Sequence, residues 1–351
     1  MSKARSRSPG ARAGSKQEVT FADKVSFLSR PDAYAGAAGP VQVVETHMSV
    51  VFLSGRFAHK LKKPVHYEFL DFRTLAARRR SCHEEMRLNR RLAPRVYIAA
   101  VPLVIDAAGT LHLDQDGEPV DWLVRMHRLP SGRMLDAAIA AGTVQTGDLR
   151  AVARLLAEFY RQAPPVAMPS PEFRRRLADA IARNRQDLDA EEFDLPRAPI
   201  AVVSEALGRM LNDGAELFDE RLRRGRVVEG HGDLRPEHVY LGPDPAVIDC
   251  LEFNRDFRIL DRADELAYLA MECERLGSAD TGREILETCC GELGDSPPAQ
   301  LIDFYKAHRA LLRARLAIVH LRDAHVDEPG KWRKRTLQYL ELAGSYARRL
   351  R

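Results

Sequence analysis

The hydrophobic and polar positions of the first third of the chain predict short strands and one helix. Residues 75–94 carry apolar side chains at helical spacing and stop before a proline. Around them, short β-rich segments separated by turn residues predict strands at residues 41–45, 49–54, 57–62, 96–106, 110–115 and 120–129. The pattern therefore indicates a mostly antiparallel sheet with one long helix inserted.

The remaining pattern is helical, with one exception. Apolar residues recur every three or four positions and predict helices at residues 147–163, 171–188, 199–225, 261–277, 282–293 and 300–323. The exception is a hairpin of two short apolar strands, residues 238–241 and 246–249, joined by a Pro/Asp turn. We predict an α+β fold in two lobes. Residues 21–128 would form the β-rich lobe and residues 129–351 the helical lobe.

Composition narrows the class of protein. Of the 351 residues 45% are hydrophobic and 30% charged, which is typical of a soluble globular protein, and no membrane span is expected. The net charge of +4 lies largely in residues 1–20, which we expect to be a disordered basic leader rather than a nucleic-acid arm. Five cysteines without zinc-ligand spacing predict reduced, mostly buried thiols in a cytoplasmic protein.

The hairpin places two aspartates near one rim. Asp233 precedes its first strand and Asp249 ends its second, in the stretch HGDLRPEHVYLGPDPAVIDC. Paired carboxylates at such a rim suit phosphoryl transfer, because one can coordinate Mg²⁺ on a polyphosphate while the other orients an acceptor hydroxyl. The alternative is structural: Asp233 caps the following turn and Asp249 caps a loop.

The same residues carry a resemblance to a known family. His231, Gly232, Asp233, Leu234 and Pro236, followed by the segment ending at Asp249, resemble the signature of aminoglycoside phosphotransferases and choline-kinase-like proteins. Those families share the protein-kinase fold. The resemblance implies that Asp233 is the catalytic base, that Asp249 holds Mg²⁺, and that His231 supports the loop.

The chain departs from the family pattern at two positions of this stretch. His238 stands where the family has Asn, and imidazole is a poorer ligand for Mg²⁺ than an amide oxygen. Either His238 contacts phosphate, or one metal site is lost or rebuilt. Glu252 could supply the missing oxygen or form a loop salt bridge. Arg235 stands where His is common, which alters the expected acceptor binding.

The resemblance also implies a lysine on the third strand, paired with a glutamate of the following helix. Lys60 lies in an Ala-x-Lys pattern and is the first candidate, with Lys62 on the same strand face as the second. Glu85 falls within the apolar stripe of the predicted helix, whereas Glu84 falls outside it. A carboxylate in an apolar stripe needs a partner, which favours Glu85.

Weaker candidates complete the predicted nucleotide site. The turn Glu45–Ser49 has no glycine, so Ser49, Thr46 or backbone amides would contact phosphate, unless the turn is a plain hairpin turn. Met126 and Arg128 are candidates by position only, because they lie where the family binds adenine.

Downstream residues are assigned structural roles or left open. Asp264 is predicted to cap a helix and brace the catalytic loop, and Asp261 is ambiguous. Arg309 and Arg313 share a helix face that is either solvated or binds an anionic acceptor.

Further segments resemble an uncharacterised bacterial subgroup of these proteins, often followed by a P-loop ATPase domain whose signature does not occur in this chain. We predict an enzyme that uses ATP and Mg²⁺ to phosphorylate a hydroxyl of a small molecule, with no nucleic-acid or membrane partner. The alternative is a nucleotide-binding pseudokinase with a regulatory or scaffolding role. The sequence does not predict the acceptor.

Overall fold

The computed structural model describes residues 19–36, 39–67, 69–322 and 328–350. Most of the predicted leader, residues 1–18, lies outside the described residues. The chain divides into two compact units. The first comprises Met1–Arg80 with Ala100–Arg125, and the second comprises Ser81–Ala99 with Met126–Arg351. The domain limits predicted at residues 20 and 128 remain predictions.

The first unit is built on one sheet. Its strands are β1 Gln42–Glu45, β2 Ser49–Ser54, β3 Phe57–Lys62, β6 Tyr97–Ile105, β7 Leu111–Leu113 and β8 Glu118–His127, and a separate small hairpin is formed by β4 His66–Tyr67 and β5 Leu70–Asp71. The order of the strands in the sheet is β1-β2-β3-β8-β6-β7, with antiparallel pairing of β1 with β2, β2 with β3 and β6 with β7. The predicted strands of this region are therefore confirmed, with small shifts at their ends.

A helix that the sequence pattern did not predict, α1 Phe21–Leu28, is fixed to this sheet by a buried ion pair. Its start is a capping box between Thr20 and Asp23. Lys24 donates to Asp121 of β8 at 2.8 Å, and Arg78 donates to the same carboxylate at 2.7 Å. A buried carboxylate shared by two cations is costly to break, so this contact defines where α1 lies.

Helices dominate the second unit. Helix α2 Leu75–Asn89 begins in the first unit and ends in the second. The helices that follow are α3 Leu135–Ala141, α4 Thr146–Gln162, α5 Ser170–Leu188, α6 Arg197–Asp213, α7 Ala215–Arg223, α8 Arg262–Arg275, α9 Ala279–Glu292, α10 Ala299–Val319 and α11 Pro329–Ala347. Two antiparallel strand pairs are embedded among them: β9 Val227–Glu229 with β12 Ile259–Asp261, and β10 Val239–Tyr240 with β11 Ala246–Val247.

One helix prediction is wrong in detail. The segment predicted as a single helix at 199–225 is two helices, α6 and α7, separated at Gly214. Glycine is among the least favourable residues inside a helix, so a break between helices costs least at Gly214. The sequence pattern also did not predict α3, α11 or the β9–β12 pair.

Two apolar clusters hold the helical unit together. The larger one joins side chains of α5, α6, α8, α10 and α11, and the second joins α4, the β10–β11 hairpin, α8 and α9. Helix α8 contributes to both and is buried along nearly its whole length. The five cysteines are buried free thiols. Within the described ranges, no helix is long and apolar enough to cross a membrane.

Candidate active site

The β10–β11 hairpin brings the two predicted aspartates to the same imidazole ring. A 3₁₀ turn at Pro236–His238 leads into β10, and the backbone N–H of Ile248 donates to the carbonyl of His238 at 3.0 Å. His238 Nδ1 lies 2.8 Å from the backbone oxygen of Asp233 and therefore donates to it. The other ring nitrogen, Nε2, lies 3.7 Å from Asp249 Oδ2. Asp233, His238 and Asp249 thus form one contiguous group.

Protein groups contact both carboxylate oxygens of Asp233, one through a hydrogen bond and one through an ion pair. The hydroxyl of Tyr268 on α8 donates to Oδ1 at 3.0 Å, and Arg235 Nη2 lies 2.9 Å from Oδ2. Burial works to raise the pKa of Asp233, but the nearby positive groups, above all Arg235, outweigh it and lower the pKa to about 2. The side chain is 20% exposed, so Asp233 is an ionised carboxylate at a surface of this unit.

The loop that carries Asp233 is held by a buried carboxylate. Glu265 on α8 accepts the backbone N–H groups of His231, at 2.9 Å, and of Gly232, and it also accepts the hydroxyl of Tyr160 at 2.7 Å. Burial raises the pKa of Glu265, although the donated hydrogen bonds act against this. Gly232 has φ 89°, and an added Cβ would lie 3.1 Å from the Arg258 and Leu251 side chains, so the motif requires glycine here.

His231 is a buried neutral imidazole that ties the loop to the hairpin. Its Nε2 lies 2.9 Å from the carbonyl of Ile248, and its Nδ1 accepts the backbone N–H of Asp233 at 3.3 Å. Burial is the main cause that lowers the pKa of His231 to about 3. Nε2 is therefore the protonated nitrogen, and the ring is a structural link between Asp233 and the residue preceding Asp249.

Asp249 has a left-handed backbone conformation, with φ 64°, which is unfavourable for a residue other than glycine. Hydrogen bonds on both sides hold it there. Its own N–H donates to the hydroxyl of Tyr97 at 3.1 Å, and the N–H of Cys250 donates to Asn89 Oδ1 of α2 at 2.9 Å. The carboxylate itself is 46% exposed. The backbone thus presents Asp249 outward from a fixed position.

Arg235 contacts three members of this site. Its guanidinium is ion-paired with Asp233 and donates a hydrogen bond to Glu237. Its Nη2 also lies 3.2 Å from His238 Nε2. Since Nδ1 of His238 carries the proton donated to Asp233, Nε2 accepts from Arg235.

The predicted metal ligands do not form a complete cage. Within the described residues, no group of three or more His, Cys, Asp or Glu side chains is placed to hold a metal ion. Asp249 offers an exposed carboxylate, His238 offers a nitrogen that already accepts from Arg235, and Glu252 accepts the hydroxyl of Ser81 at 3.2 Å. Mg²⁺ usually takes one or two carboxylates together with phosphate oxygens and waters, so Asp249 fits this ion best.

The structure corrects the predicted role of Asp264. The residue that caps α8 is Asp261, whose side chain accepts the N–H of Ala263 at 2.9 Å. Asp264 is buried and forms two hydrogen bonds with Arg309, and Glu265 is the residue that braces the loop carrying Asp233. Asp264 and Glu265 are neighbours on α8. Because adjacent helical residues point in directions about 100° apart, Glu265 faces this loop and Asp264 does not.

The face that carries Arg309 and Arg313 is not solvated. Arg309 is 7% exposed and paired with Asp264, and Arg313 lies 3.1 Å from Glu272. Both arginines are partners of buried carboxylates on α8.

The predicted nucleotide residues of the first unit lie on or beside β2 and β3. Lys60 is half-buried, whereas Lys62 is 1% exposed with its Nζ 5.4 Å from the centre of the Phe72 ring. Ser49 is buried at 3% exposure, and its N–H donates to Thr46 Oγ1 at 3.0 Å, which closes the turn. Contacts of these residues with phosphate remain predictions.

The other predicted nucleotide residues belong to the second unit. Glu85 on α2 is fully buried, and its carbonyl accepts from Asn89 at 2.9 Å. Glu84 is on the exposed side and pairs with Arg87, as the apolar stripe indicated. Met126 is buried near the end of β8, and Arg128 is exposed. The pairing of Lys60 with Glu85 remains a prediction.

Sequence reasoning missed Glu265, Tyr268 and Tyr160. For the two tyrosines the residue type alone gives no signal, because each lies on the buried side of its helix. A signal was available for Glu265, since an acidic residue inside an apolar helix stripe requires partners, the argument that selected Glu85.

Comparison with solved structures defines the fold of the chain. A choline/ethanolamine kinase family protein from Mesorhizobium loti is 15% identical, with 94% of this chain and 100% of that chain covered at a TM-score of 0.53. LicA in complex with AMP is 13% identical, with 93% and 99% covered and a TM-score of 0.50. A thermostable mutant of the aminoglycoside phosphotransferase APH(4)-Ia is 12% identical, with 90% and 98% covered and a TM-score of 0.50.

The protein therefore has the two-lobed α+β fold of choline kinases and aminoglycoside phosphotransferases, and the predicted fold class is confirmed. The resemblance seen in the sequence is confirmed at this level.

Comparison of sequences finds relatives of the chain, but their descriptions name no activity. No family model matches the chain. Proteins of Mycobacterium tuberculosis and Mycobacterium bovis, both described as uncharacterised, are 36% identical over 292 residues, which is 80% of this chain and 55% of theirs. The chain thus spans about half the length of these relatives.

Proposed function

We propose that the protein is a phosphotransferase that moves the γ-phosphoryl group of ATP to a hydroxyl of a small molecule. The observation that carries the proposal is the contiguous group of Asp233, His238 and Asp249 at the base of the hairpin. It is supported by the fold, which the chain shares with small-molecule kinases and phosphotransferases.

In the proposed reaction the bond between the γ-phosphorus and the β-γ bridging oxygen breaks, and a bond from the acceptor oxygen to phosphorus forms. The products are the phosphorylated acceptor, ADP and the hydroxyl proton. Asp233 orients the hydroxyl and accepts this proton. A pKa of about 2 keeps Asp233 ionised at neutral pH, and it suits orientation better than early proton removal. A weakly basic carboxylate is sufficient for phosphoryl transfer, because stabilisation of its transition state depends mainly on the positioning of the reactants and on charge.

Mg²⁺ would be held by Asp249, with His238 and Glu252 as further candidates, and when bound would neutralise phosphate charge. Lys60 would bind the nucleotide phosphates, supported by Glu85, with Lys62 as the alternative lysine. Ser49, Met126 and Arg128 remain the other nucleotide candidates. The AMP complex of LicA, a protein of the same fold, supports a nucleotide as the ligand.

The test is a screen for ATP consumption with hydroxyl-bearing metabolites, choline and aminoglycosides, using wild type, Asp233→Asn and Asp249→Ala. We expect turnover with at least one acceptor. Asp233→Asn should retain ATP binding, measured by calorimetry, but lose turnover by at least about a hundredfold. Full turnover in Asp233→Asn would refute the assigned role of this residue.

One observation favours a second candidate, a nucleotide-binding pseudokinase. Asp233 accepts a hydrogen bond from Tyr268 and is ion-paired with Arg235, and His238 stands where an amide ligand is expected. This candidate predicts an ATP-dependent rise in the unfolding temperature without ATP consumption for any acceptor. Turnover that depends on Asp233 would exclude it.

A further inference from the structure

Arg235 lies directly beside the carboxylate of Asp233. Its Nη2 lies 2.9 Å from Asp233 Oδ2, and its other terminal nitrogen donates to Glu237. Its Nε is buried and has no hydrogen-bond partner. A guanidinium presents five N–H donors in a planar fork, so Arg235 holds the base while retaining unused donor capacity.

Tyr268 and Arg235 each cover one carboxylate oxygen of Asp233, so an acceptor hydroxyl gains room at the carboxylate when one of these side chains moves. Tyr268 is 2% exposed and is fixed within α8, which is buried along its length. The Arg235 side chain is 17% exposed and lies in a loop before a 3₁₀ turn. Arg235 is therefore the donor that can move without disturbing the core.

The other cations near Asp233 are committed to buried acids. Arg309 pairs with Asp264, whose side chain is 4% exposed, and Arg313 pairs with Glu272, whose side chain is 1% exposed. Releasing either cation would leave a buried carboxylate unpaired, which is strongly destabilising. The partners of Arg235 differ, because Asp233 is 20% exposed and Glu237 is 36% exposed. Water can solvate both carboxylates when Arg235 moves.

We propose that Arg235 binds an anionic group, a carboxylate or a phosphate, of the hydroxyl acceptor, and that this exchange frees Asp233 Oδ2 for the hydroxyl. The inference rests on the proposed phosphotransferase function and adds the acceptor class. A bidentate ion pair between the Arg235 guanidinium and the anionic group of the acceptor replaces the ion pair between Arg235 and Asp233. The acceptor thereby differs from choline and aminoglycosides, which are cations.

The nucleotide γ-phosphate is the other anion that could reach Arg235, and the experiment separates the two sources. Binding is measured by calorimetry on the full chain with matched pairs of probes: glycerate with glycerol, gluconate with glucose, and glucose 6-phosphate with glucose. ATP and ADP are titrated separately. The variants are Arg235→Gln and Arg235→Lys. Arg174→Gln is the matched control, because Arg174 forms a partly exposed pair with Asp219 at 2.9 Å.

We expect at least one anionic probe to bind about tenfold or more tightly than its neutral partner, the effect of one charge-assisted contact. Arg235→Gln should remove this preference, Arg235→Lys should retain part of it, and Arg174→Gln should leave it unchanged. Affinity for ATP relative to ADP should be the same in all four proteins. Circular dichroism confirms that each variant is folded.

Several outcomes would overturn the inference. These are equal binding of the anionic and neutral members of every pair, a preference that survives Arg235→Gln, or a selective loss of ATP affinity in Arg235→Gln, which would assign Arg235 to the nucleotide. Because these readouts are binding constants, they are independent of turnover. An anion preference that depends on Arg235 without any ATP consumption would reject the phosphotransferase proposal and leave the anion site standing.

Discussion

At the scale of single residues, the site contains two acids with opposite tasks. Asp233 is partly exposed and kept ionised by Arg235. Glu265 is fully buried, and its carboxylate oxygens accept hydrogen bonds from backbone N–H groups and from the Tyr160 hydroxyl. We propose that Asp233 contacts a substrate, whereas Glu265 fixes the loop that carries Asp233. Glu265 is therefore a positioning residue.

Replacing Glu265 with Gln should test this role. A glutamine offers one acceptor oxygen, and its NH₂ group would face a backbone N–H or the Tyr160 hydroxyl, so at least one buried donor loses its partner. We expect a loss of about 1–3 kcal/mol in unfolding free energy and a lower kcat with nearly unchanged ATP affinity. Tyr160→Phe, which removes one donor, should cost less. Equal loss of ATP affinity and kcat would indicate general unfolding instead.

The two candidate lysines of β3 differ in burial, and this difference predicts different consequences. Lys62 is 1% exposed, whereas Lys60 is half-buried. We expect Lys60→Met to weaken ATP binding by about tenfold or more, the effect of losing one charge-assisted contact, with little change in stability. Lys62→Met should change the unfolding temperature more than ATP affinity. The reverse result, measured by calorimetry and thermal unfolding, would assign the phosphate contact to Lys62.

At the scale of elements, the position of α8 depends on how closely α9 packs against it. Gly282 on α9 lies so near α8 that an added Cβ would be 2.6 Å from the Cα of Ala270. The backbones are in contact at this point, and only glycine permits it. Since α8 also carries Glu265 and Tyr268, this packing sets the position of the catalytic loop.

Gly282→Ala should therefore lower the unfolding free energy by about 1–3 kcal/mol, because the added methyl group forces the helices apart. Gly291→Ala is the matched control in the same helix, since nothing lies within 4 Å of an added Cβ there. It should be neutral or stabilising by up to about 1 kcal/mol. Chemical denaturation measures both. A harmless Gly282→Ala would show that α8 and α9 can separate freely.

At the scale of the whole molecule, three buried histidines make folding depend on pH. Burial is the main cause that lowers the pKa of His231 to about 3, and those of His59 and His308 to about 4. In the unfolded chain each titrates near 6.5. Between these values the unfolded state binds more protons than the folded state, so stability falls as pH decreases below about 6.5.

Each of these histidines should contribute up to about 1.4 kcal/mol per pH unit to this loss, the limit being reached about one pH unit below 6.5, where the unfolded imidazole is fully protonated. His308 offers the cleanest test, because both of its ring nitrogens are buried without a hydrogen-bond partner. His308→Leu should raise stability at pH 5.5 and reduce the loss of unfolding free energy between pH 7.5 and pH 5.5 by about 1.4 kcal/mol in total. Urea denaturation at pH 5.5, 6.5 and 7.5 measures the slope. An unchanged slope would mean that His308 becomes protonated in the folded protein.

Much of the fold was determined by local sequence. The strands β2 and β3 and the hairpin around Pro243–Pro245 follow from short-range patterns of apolar and turn residues, which act within a few positions. The same holds for Glu85, whose burial follows from the helical period. The motif around Asp233 and Asp249 was also readable, because its residues lie close together in the chain.

Tertiary structure alone decided which distant residues support this motif. Glu265 and Tyr268 are 32 and 35 residues beyond Asp233 in the chain and reach the loop only because α8 packs beneath it. The choice of Asp261 over Asp264 as helix cap likewise depends on where α8 begins. The engagement of Asp233 by Arg235 depends on side-chain directions in a loop, which no periodicity encodes. Long-range packing fixes the contacts of Glu265 and Tyr268 with this loop, and the spacing of residues along the chain does not encode which loop they reach.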